Sequence, residues 1–257
     1  MDKEHNEKKQ GNQSLHRILD ILEYLSSFPP TNISELSRKL DMNRATAYST
    51  VRVLENRGYI LRDSKGNYYL SGKMLELGSN YYYARFPLSQ MLGDYAKPLI
   101  KRYPHCSVCM STVGGAYHAT VIRVIASPEK PDVLIPPGMS IPFHASASGK
   151  VLLSFLPIEM QNFYYQTANL TPRTHNTITT LDTLRAEIKR VKELGYATEY
   201  EEYILGFSCV AFPLLSANGI CKAAISVNAP SDFMKKNEKP IKENLKQLVA
   251  VINRFEL

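Results

Sequence analysis

Residues 31–70 have the sequence TNISELSRKLDMNRATAYSTVRVLENRGYILRDSKGNYYL, which decides the fold of the first part of the chain. Apolar residues recur at helical spacing in its first half and predict one helix over residues 34–40 and another over residues 44–57. The connection between them, residues 41–43, is as short as a helix-turn-helix requires. Gly58 follows the second helix and favours its termination there.

Two short strands and one more helix complete this region. Residues 59–62 and 67–70 are rich in Tyr, Ile and Leu, and they flank residues 63–66, whose Asp, Ser and Gly are typical of a turn. Upstream, an amphipathic helix is predicted over residues 14–27, and two prolines follow it. Three helices followed by a hairpin predict a winged helix-turn-helix domain over residues 14–72.

The helix over residues 44–57 has the chemistry of a DNA recognition helix. Ala47, Val51 and Leu54 share one face, which leaves polar side chains on the other. Arginine anchors phosphates, and short polar side chains contact base edges of double-stranded operator DNA. Residues 33–73 contain eight Lys or Arg and four Asp or Glu, a moderate positive excess. The candidate DNA-binding residues are Arg44, Thr46, Tyr48, Ser49 and Arg52, with Lys65 at the hairpin tip. A winged helix that contacts only other proteins is the alternative.

The composition is that of an ordinary globular protein, and we expect a cytoplasmic one. The chain has 257 residues, 44% of them hydrophobic, and its net charge of +7 favours a polyanionic partner. No apolar run reaches the roughly 20 residues that span a bilayer, so no membrane partner is predicted. Residues 1–13 are polar, which predicts a disordered start. They lack the apolar core of a secretion signal, which favours the cytoplasm. The four cysteines are expected to be reduced thiols.

The second part of the chain alternates strands and helices, as an α+β domain does. Gly114-Gly115 and Asn218-Gly219 each lie between two strand-like runs and favour hairpins. Amphipathic helices are predicted over residues 147–155, 159–166, 181–194 and 238–255. An aromatic helix over residues 73–87 is interpreted as the linker to this second domain, which occupies residues 88–257.

A helix start with small side chains predicts an anion site in the second domain. Ala147 and Ser148 lie in the first turn, where backbone N–H groups have no partner within the helix. These donors and the positive end of the helix dipole favour a carboxylate. Gly138 and Gly149 are too far apart for a phosphate-binding P-loop, which argues against nucleotide binding. A well-packed helix start without a ligand is the alternative.

Several motifs, in order along the chain, resemble those of the IclR family of bacterial transcriptional regulators. In the first domain they are residues 36–40 (LSRKL), 46–48 (TAY), 54–59 (LENRGY) and 69–78 (YLSGKMLELG). In the second they are residues 141–150 (IPFHASASGK), 195–197 (GYA), 201–203 (EEY) and 206–213 (GFSCVAFP). Ala45 and Ser49 stand where the family often has Ser and Arg. The resemblance implies an N-terminal winged helix-turn-helix, a linker helix and a C-terminal GAF-like effector-binding domain.

The resemblance also implies which residues hold the effector. In relatives that bind small acids, the ligand contacts the helix-start backbone, an acidic residue, a cysteine and two hydroxyls of a late strand. Motif by motif, these positions fall on Ala147, Ser148, Glu199, Cys209, Ser226 and Asn228, and the apolar wall falls on Val133, Ile141 and Phe207. Glu199 and Asn228 differ from the usual Asp and Ser, which disfavours glyoxylate and pyruvate. A sugar acid, a keto acid and an aromatic acid stay open, and we expect a repressor controlled by such a carboxylate.

Two other functions are considered for the cysteines. Cys209 is conceivable as the nucleophile of a cysteine hydrolase with His118 or His144 as its base, but its context is an apolar strand, where thiols usually pack. Cys106 and Cys109 suggest a zinc site or a thiol redox sensor, yet zinc needs about four ligands and no second cysteine pair follows. We therefore predict no catalytic residue, no metal and no cofactor.

Pairing of two chains is expected from the way DNA is recognised. A single winged helix contacts few base pairs, so specificity normally needs two half-sites related by a two-fold axis. The family resemblance likewise implies a homodimer or homotetramer. The aromatic segment from Met74 to Tyr83 offers apolar surface for this pairing.

Overall fold

Two compact units make up the chain, Met1–Arg85 and Phe86–Leu257. The computed structural model describes residues 2–85, 89–115, 118–127 and 135–255. Each unit buries an apolar core of its own. No helix within the described residues is long and apolar enough to cross a membrane.

Over residues 2–85 the first unit consists of helices and one hairpin. The helices are α1 (Asp2–Ser27), α2 (Ile33–Lys39), α3 (Arg44–Asn56) and α4 (Lys73–Arg85), and the strands are β1 (Ile60–Arg62) and β2 (Tyr68–Leu70). The two strands pair antiparallel, with Ile60 opposite Leu70. Leu36, Val51 and Ile60 are fully buried in a core to which α1, α2, α3 and the hairpin all contribute. The predicted winged helix-turn-helix is confirmed.

Side-chain caps begin both helices of the helix-turn-helix. Asn32 Oδ1 accepts a hydrogen bond from Glu35 N at 3.0 Å, and Asn43 Oδ1 accepts one from Thr46 N at 2.7 Å. Such caps satisfy backbone donors that have no partner inside the helix. They explain why α3 can start so soon after α2 ends.

Helix α1 starts much earlier than its apolar repeat suggested. Disorder was expected over residues 1–13, whereas the backbone is helical from Asp2 onward. This segment is rich in Lys, Glu and Gln and contains no proline, and these side chains have high helix propensity. The polar composition of this segment indicates that it has no apolar face to bury. It does not exclude a helical backbone.

A six-stranded antiparallel sheet forms the centre of the second unit, in the order β5-β4-β3-β8-β7-β6. The strands are β3 (Ser107–Gly115), β4 (His118–Ala126), β5 (Ser140–Pro142), β6 (Ala197–Tyr200), β7 (Phe207–Leu215) and β8 (Cys221–Pro230). The helices are α5 (Ser89–Arg102), α6 (Ala147–Phe155), α7 (Ile158–Thr167), α8 (Leu181–Leu194) and α9 (Ser231–Asn253). A short 3-10 turn, Phe143–Ala145, precedes α6. The predicted α+β class is confirmed, and the arrangement is consistent with a GAF-like domain.

Helices cover both faces of this sheet. Side chains alternate between the two faces along each strand. Ala211 of β7 and Ala224 of β8 pack in one cluster with residues of α6 and α8, so these helices cover one face. Arg123 of β4 pairs with Met110, which points to the other face, and Arg123 approaches Gly93 of α5. Helices α5 and α9 pack together and cover that second face.

Two strands and one helix boundary differ from the sequence expectation. Strands β5 and β6 were not predicted, since three or four residues are too few to show an alternating pattern. Helix α9 begins at Ser231, whereas its start was expected at residue 238, and Pro240 lies inside it. A proline removes only one helix hydrogen bond, and burial of Met234 and Ile241 holds the helix on the sheet.

Candidate functional sites

Helix α3 exposes the polar side chains that were predicted to contact DNA. Ala47, Val51 and Leu54 are its buried residues, and they fix which face is free. Arg44, Tyr48, Ser49, Arg52 and Lys65 are exposed, and Thr46 is partly buried. Arg52 Nη1 lies 3.4 Å from Tyr48 OH, so the two long side chains on successive turns support each other. The face presents cations and hydroxyl groups together.

A groove of about 670 Å³ separates the start of α3 from the hairpin. Arg44, Arg62 and Lys65 are among the residues that line it. Arg62, on β1, was missed by the sequence analysis, although its position beside the turn was visible. Its guanidinium group lies 5.6 Å from the centre of the Tyr68 ring, which holds it against the hairpin. Three cations around one groove are suited to contacting the phosphate backbone.

The start of α6 is buried and carries small side chains. Ser146 caps the helix, and its Oγ accepts a hydrogen bond from Gly149 N at 3.0 Å. All residues from Ala147 to Ser154 are buried. The N–H groups of Ala147 and Ser148 precede the first helical hydrogen bonds and have no partner within the helix. The predicted carboxylate position is therefore a pair of backbone donors shielded from bulk water.

The sheet brings together the four polar residues that were predicted to line the effector site. Glu199 of β6 lies opposite Cys209 of β7, which in turn lies opposite Asn228 of β8. Asn228 Nδ2 is 3.4 Å from Ser226 Oγ, two residues away on the same strand. Paired residues on neighbouring strands point to the same face. Cys209 packs in one cluster with Ala147, so this row lies under α6.

The carboxyl group of Glu199 keeps its proton to a higher pH than an ordinary glutamate does. Burial raises the pKa of its carboxyl group to about 7. Backbone N–H groups of Tyr203 and Glu202 donate hydrogen bonds to Glu199 Oε1, the first at 3.1 Å, and these oppose the effect of burial. Near neutral pH the group can therefore donate a proton to an anion beside it, or accept a hydrogen bond from a hydroxyl.

A buried ion-pair network next to this row was missed by the sequence analysis. Lys150, in the first turn of α6, has a side chain that is 1% exposed. Its Nζ lies 2.6 Å from Glu202 Oε1 and 3.4 Å from Glu187 Oε1, and it donates to Thr198 O at 3.4 Å. Burial raises the pKa of Glu202 even with this cation beside it. The network anchors the start of α6 to β6.

The buried thiols of Cys109 and Cys209 are held in the protonated form. Burial raises the pKa of Cys209 well above its ordinary value and raises that of Cys109 to about 12. Cys106 is also buried and takes part in no disulfide bond. Within the part of the chain that the structure describes, no group of three or more His, Cys, Asp or Glu side chains is placed to hold a metal ion.

The structure describes two of the three residues that were predicted to form the apolar wall of the effector site. Ile141 of β5 is buried at the edge of the site, in a cluster with Val121. Phe207 is partly buried at the start of β7, two residues before Cys209, and shares its face. Val133 lies outside the described residues.

Cys109 lies beside these polar residues, whereas from the sequence it was considered only for metal and redox chemistry. It lies opposite Ser226 in the pairing of β3 with β8, and its Sγ accepts a hydrogen bond from Asn228 Nδ2 at 3.4 Å. It also packs with Ile141 and Val121. Alternation along residues 107–111 was the available signal, but only the strand order shows that β3 neighbours β8.

Comparison with known proteins covers both units. Residues 94–254 match the family model for the C-terminal domain of bacterial IclR transcriptional regulators, and residues 14–64 match the IclR helix-turn-helix domain. The chain is 28% identical over 228 residues to the HTH-type transcriptional repressor AllR of Escherichia coli K12, covering 87% of this chain and 82% of that protein. The protein of the same name from Klebsiella pneumoniae is 28% identical over 227 residues, with the same coverage.

Solved structures share the fold over nearly the whole chain. The Thermotoga maritima IclR structure is 27% identical, covers 94% of this chain and 98% of its own, and has a TM-score of 0.68. An IclR homolog of Microbacterium hydrocarbonoxydans, complexed with 4-hydroxybenzoate, is 19% identical with the same coverage and a TM-score of 0.72. Together with the two family matches and the order of the motifs, this shows that the chain belongs to the IclR family of bacterial transcriptional regulators.

Proposed function

We propose that this protein is a DNA-binding repressor whose affinity for its operator is controlled by an organic carboxylate bound at the start of α6. The observation that carries the proposal is the buried pair of N–H donors at Ala147 and Ser148 above the polar row of the sheet. A buried helix start favours an anion through its unpaired donors and its dipole. The exposed, cationic face of α3 supplies the DNA contact, and DNA as the partner implies a cytoplasmic site of action.

Repression is inferred from relatives. The AllR proteins that this chain resembles at 28% identity are named transcriptional repressors. The first unit of this chain matches the family model for the IclR helix-turn-helix domain over residues 14–64. In a repressor the effector shifts the equilibrium between a form that binds the operator and one that does not, so it must bind the two forms with different affinity.

The DNA contact is tested with a duplex that the wild-type protein selects from a random library. Arg44→Ala and Arg52→Ala should each weaken binding by about 1–3 kcal/mol if the side chain contacts a base edge. Wild-type affinity should also fall steeply with salt, because bound cations displace counterions from the phosphates. Lys97→Ala is the control, since this exposed lysine of α5 lies in the other unit. Unchanged affinity in both arginine variants would remove α3 as the recognition surface.

The effector is sought by thermal shift with a panel of small carboxylic acids, because a ligand that binds only the folded protein raises its Tm. Glu199 does not oppose an anionic ligand at neutral pH, since its raised pKa lets it remain protonated beside the carboxylate. Ser226, Asn228 and the Cys209 thiol would complete the polar lining. This combination suits a carboxylate better than a phosphate.

The helix-start position is tested with Ser148→Pro, which deletes one N–H while proline is tolerated in the first turn of a helix. We expect the Tm shift and the release of DNA by the acid to be lost, with operator binding retained. Ser148→Ala keeps the N–H and should respond normally. Asp182→Pro places proline at the equivalent position of α8 and controls for the backbone change. A folded Ser148→Pro variant that responds at wild-type concentrations would place the effector elsewhere.

We propose that the second unit has no enzymatic activity. A cysteine nucleophile needs a lowered thiol pKa, whereas burial raises that of Cys209. His144, considered as its base, is instead hydrogen-bonded to Tyr164 OH at 3.2 Å and to Thr171 O at 3.1 Å. A redox role for Cys109 meets the same objection, because its thiol is protonated at physiological pH. Operator binding that changed reversibly on mild oxidation would favour the redox alternative.

A homodimer or homotetramer is the proposed assembly. Helix α4 exposes apolar side chains, among them Leu75, Leu77 and Tyr81, and Leu75 is 74% exposed. Burying such side chains against a second copy is favourable by roughly 25 cal/mol per Å² of apolar surface. Analytical ultracentrifugation should show an even-numbered oligomer at micromolar concentration. A monomer both with and without the selected duplex would contradict this.

A further inference from the structure

A tyrosine for which the sequence predicted no ligand role bridges the polar row and the apolar cluster beside it. Tyr203 lies in the loop between β6 and β7, and its backbone N–H donates to Glu199 Oε1 at 3.1 Å. Its side chain packs against the cluster formed by Cys109, Val121 and Ile141. The polar row lies on β6, β7 and β8, whereas the cluster lies on β3, β4 and β5. Tyr203 therefore contacts both parts of the proposed effector site.

The ring of Tyr203 is held in place from outside the site. The preceding residue, Glu202, accepts a hydrogen bond on its backbone oxygen from Thr177 Oγ1 at 2.6 Å. The guanidinium carbon of Arg173 lies 5.9 Å from the centre of the Tyr203 ring, a distance at which a cation is attracted to an aromatic face. With the backbone anchored and the ring in contact with its neighbours, Tyr203 can act as a wall for a ligand.

Most of the hydrogen-bonding capacity of the polar row is already used. Asn228 Nδ2 lies 3.4 Å from both Cys109 Sγ and Ser226 Oγ. Glu199 Oε1 accepts hydrogen bonds from two backbone N–H groups. The thiol of Cys209 is only a weak donor. Few partners therefore remain for polar groups that a ligand carries in addition to its carboxylate.

Beyond the row, a ligand meets apolar surface. Cys109 joins the two regions, because its Sγ accepts the hydrogen bond from Asn228 while its side chain packs with Ile141 and Val121. Ligand hydroxyl groups placed against this cluster and the Tyr203 ring would lose their water without gaining partners, which is costly. A hydrocarbon body would be stabilised by the same burial.

We propose that Tyr203 binds the effector through its ring, and that the effector is a carboxylate with an apolar alicyclic or aromatic body. The proposal rests on the carboxylate position proposed above and adds where the rest of the molecule lies. It disfavours polyhydroxylated sugar acids. A single hydroxyl or keto group next to the carboxylate is compatible with it, because Ser226 and Glu199 can pair with such a group. Tyr203 then limits the size of the acid that fits.

The class of acid is tested with matched pairs on the full-length protein. Cyclohexanecarboxylate and quinate share a ring and a carboxylate and differ in the hydroxyl groups of quinate, and hexanoate and gluconate make the same comparison for open chains. Binding is measured by thermal shift and calorimetry. The apolar member of each pair should bind at least roughly tenfold more tightly, because buried hydroxyls without partners are costly. Equal or tighter binding of quinate and gluconate would overturn the proposal.

The role of Tyr203 is tested through the size of the acid that is accepted. Tyr203→Ala should weaken cyclohexanecarboxylate roughly tenfold, as loss of an aromatic contact predicts, and should shift the preference toward the bulkier 2-naphthoate. A purely structural role would weaken both acids alike. Tyr203→Leu, a milder change, should move the ratio of the two affinities in the same direction. Tyr203→Phe keeps the ring and should leave the ratio unchanged.

Tyr200→Ala is the matched control. Tyr200 follows Glu199 on β6, so its side chain points to the opposite face of the sheet. There its hydroxyl donates to Glu238 Oε2 at 3.0 Å. This variant removes a tyrosine from the same region without touching the proposed site. It should bind cyclohexanecarboxylate and 2-naphthoate in the wild-type ratio.

The failures are distinguishable. If the members of each pair bind equally and Ser148→Pro abolishes binding of all of them, the carboxylate site stands and the apolar body is wrong. If the size preference is the same in wild type, Tyr203→Ala and Tyr203→Leu, the role of Tyr203 is wrong. If no acid shifts the Tm of the wild-type protein, both the carboxylate site and its extension are wrong.

Discussion

Helices α3 and α6 begin in the same way and have opposite surroundings. Each starts with a polar side-chain cap, Asn43 on α3 and Ser146 on α6. Of thirteen residues in α3 three are buried, whereas eight of the nine residues of α6 are. A long exposed face can meet a polymer such as DNA, while a buried first turn can be reached only by a small molecule. The two helix starts are capped alike, so the difference in burial determines which kind of partner each can reach.

Charge follows the same division. Arg44 and Arg52 of α3 are exposed, and their cationic groups are available to phosphates. Lys150 of α6 is buried between Glu202 and Glu187. A buried, paired cation is part of the structure, because the energy of removing it from water is offset only by its partners. The basic residues of the two helices therefore differ in their surroundings: those of α3 are exposed, and that of α6 is buried and paired.

Removing the buried cation is the largest expected effect. Lys150→Met should lower the free energy of unfolding by about 3–5 kcal/mol, because it leaves the largely buried Glu202 without its cation, whereas Glu187 keeps its ion pair with Arg190 at 2.7 Å. Lys97→Met is the matched control, since it breaks an ion pair with Asp94 of similar length whose side chains are 73% and 77% exposed. It should produce no measurable change. The free energy of unfolding of both variants is measured by urea denaturation. Equal losses of stability would mean that burial of the ion pair does not affect its contribution.

The first unit could be predicted from its sequence because its signals are local. The apolar repeat of α3, the turn at residues 63–66 and the glycine at 58 each act within a few residues. The start of α6 was predicted for the same reason, since Ala147 and Ser148 are adjacent in the chain. Such features need no knowledge of which strands are neighbours.

The polar row under α6 could not be predicted from local patterns. Glu199 lies on a strand of four residues, and its partners Cys209 and Asn228 come from two other strands. They were assigned through the family resemblance, and the structure brings them together. Lys150 and Cys109 were not assigned, because the partners that give them their roles are distant in sequence and their contacts depend on the tertiary fold.

The row under α6 should also make the second unit sensitive to pH, in contrast to the exposed face of α3. In the folded chain Glu199 keeps its proton up to about pH 7, whereas in the unfolded chain it releases it near the ordinary value of 4.5. The folded state therefore binds more protons between these values, and stability falls as pH rises. At 1.36 kcal/mol per pKa unit, the contribution of Glu199 is about 3 kcal/mol.

Glu199→Gln isolates this contribution, because the amide oxygen can still accept the hydrogen bonds from Tyr203 N and Glu202 N. The difference in unfolding free energy between variant and wild type should grow from pH 4.5 to 7, in favour of the variant, and then level off. His144 acts in the opposite direction, since burial lowers its pKa, but it is common to both proteins and cancels in the difference. A difference that does not change with pH would show that Glu199 is ionised in the folded chain.

The smallest expected effects come from one substitution, glycine to alanine, made in a helix of each unit. Gly149 lies in the buried first turn of α6, where an added Cβ would come within 2.5 Å of Phe143 Cα and 2.6 Å of Ser146 Oγ. Gly78 lies in α4, where an added Cβ would have nothing within 4 Å. Gly149→Ala should lower the free energy of unfolding by about 1–3 kcal/mol, because the preceding turn must move to make room. Gly78→Ala should raise it by about 0.5–1 kcal/mol, because alanine favours a helix over glycine. The same substitution thus changes sign with its surroundings, and a destabilised Gly78→Ala variant would indicate that α4 is packed against a second chain at that position.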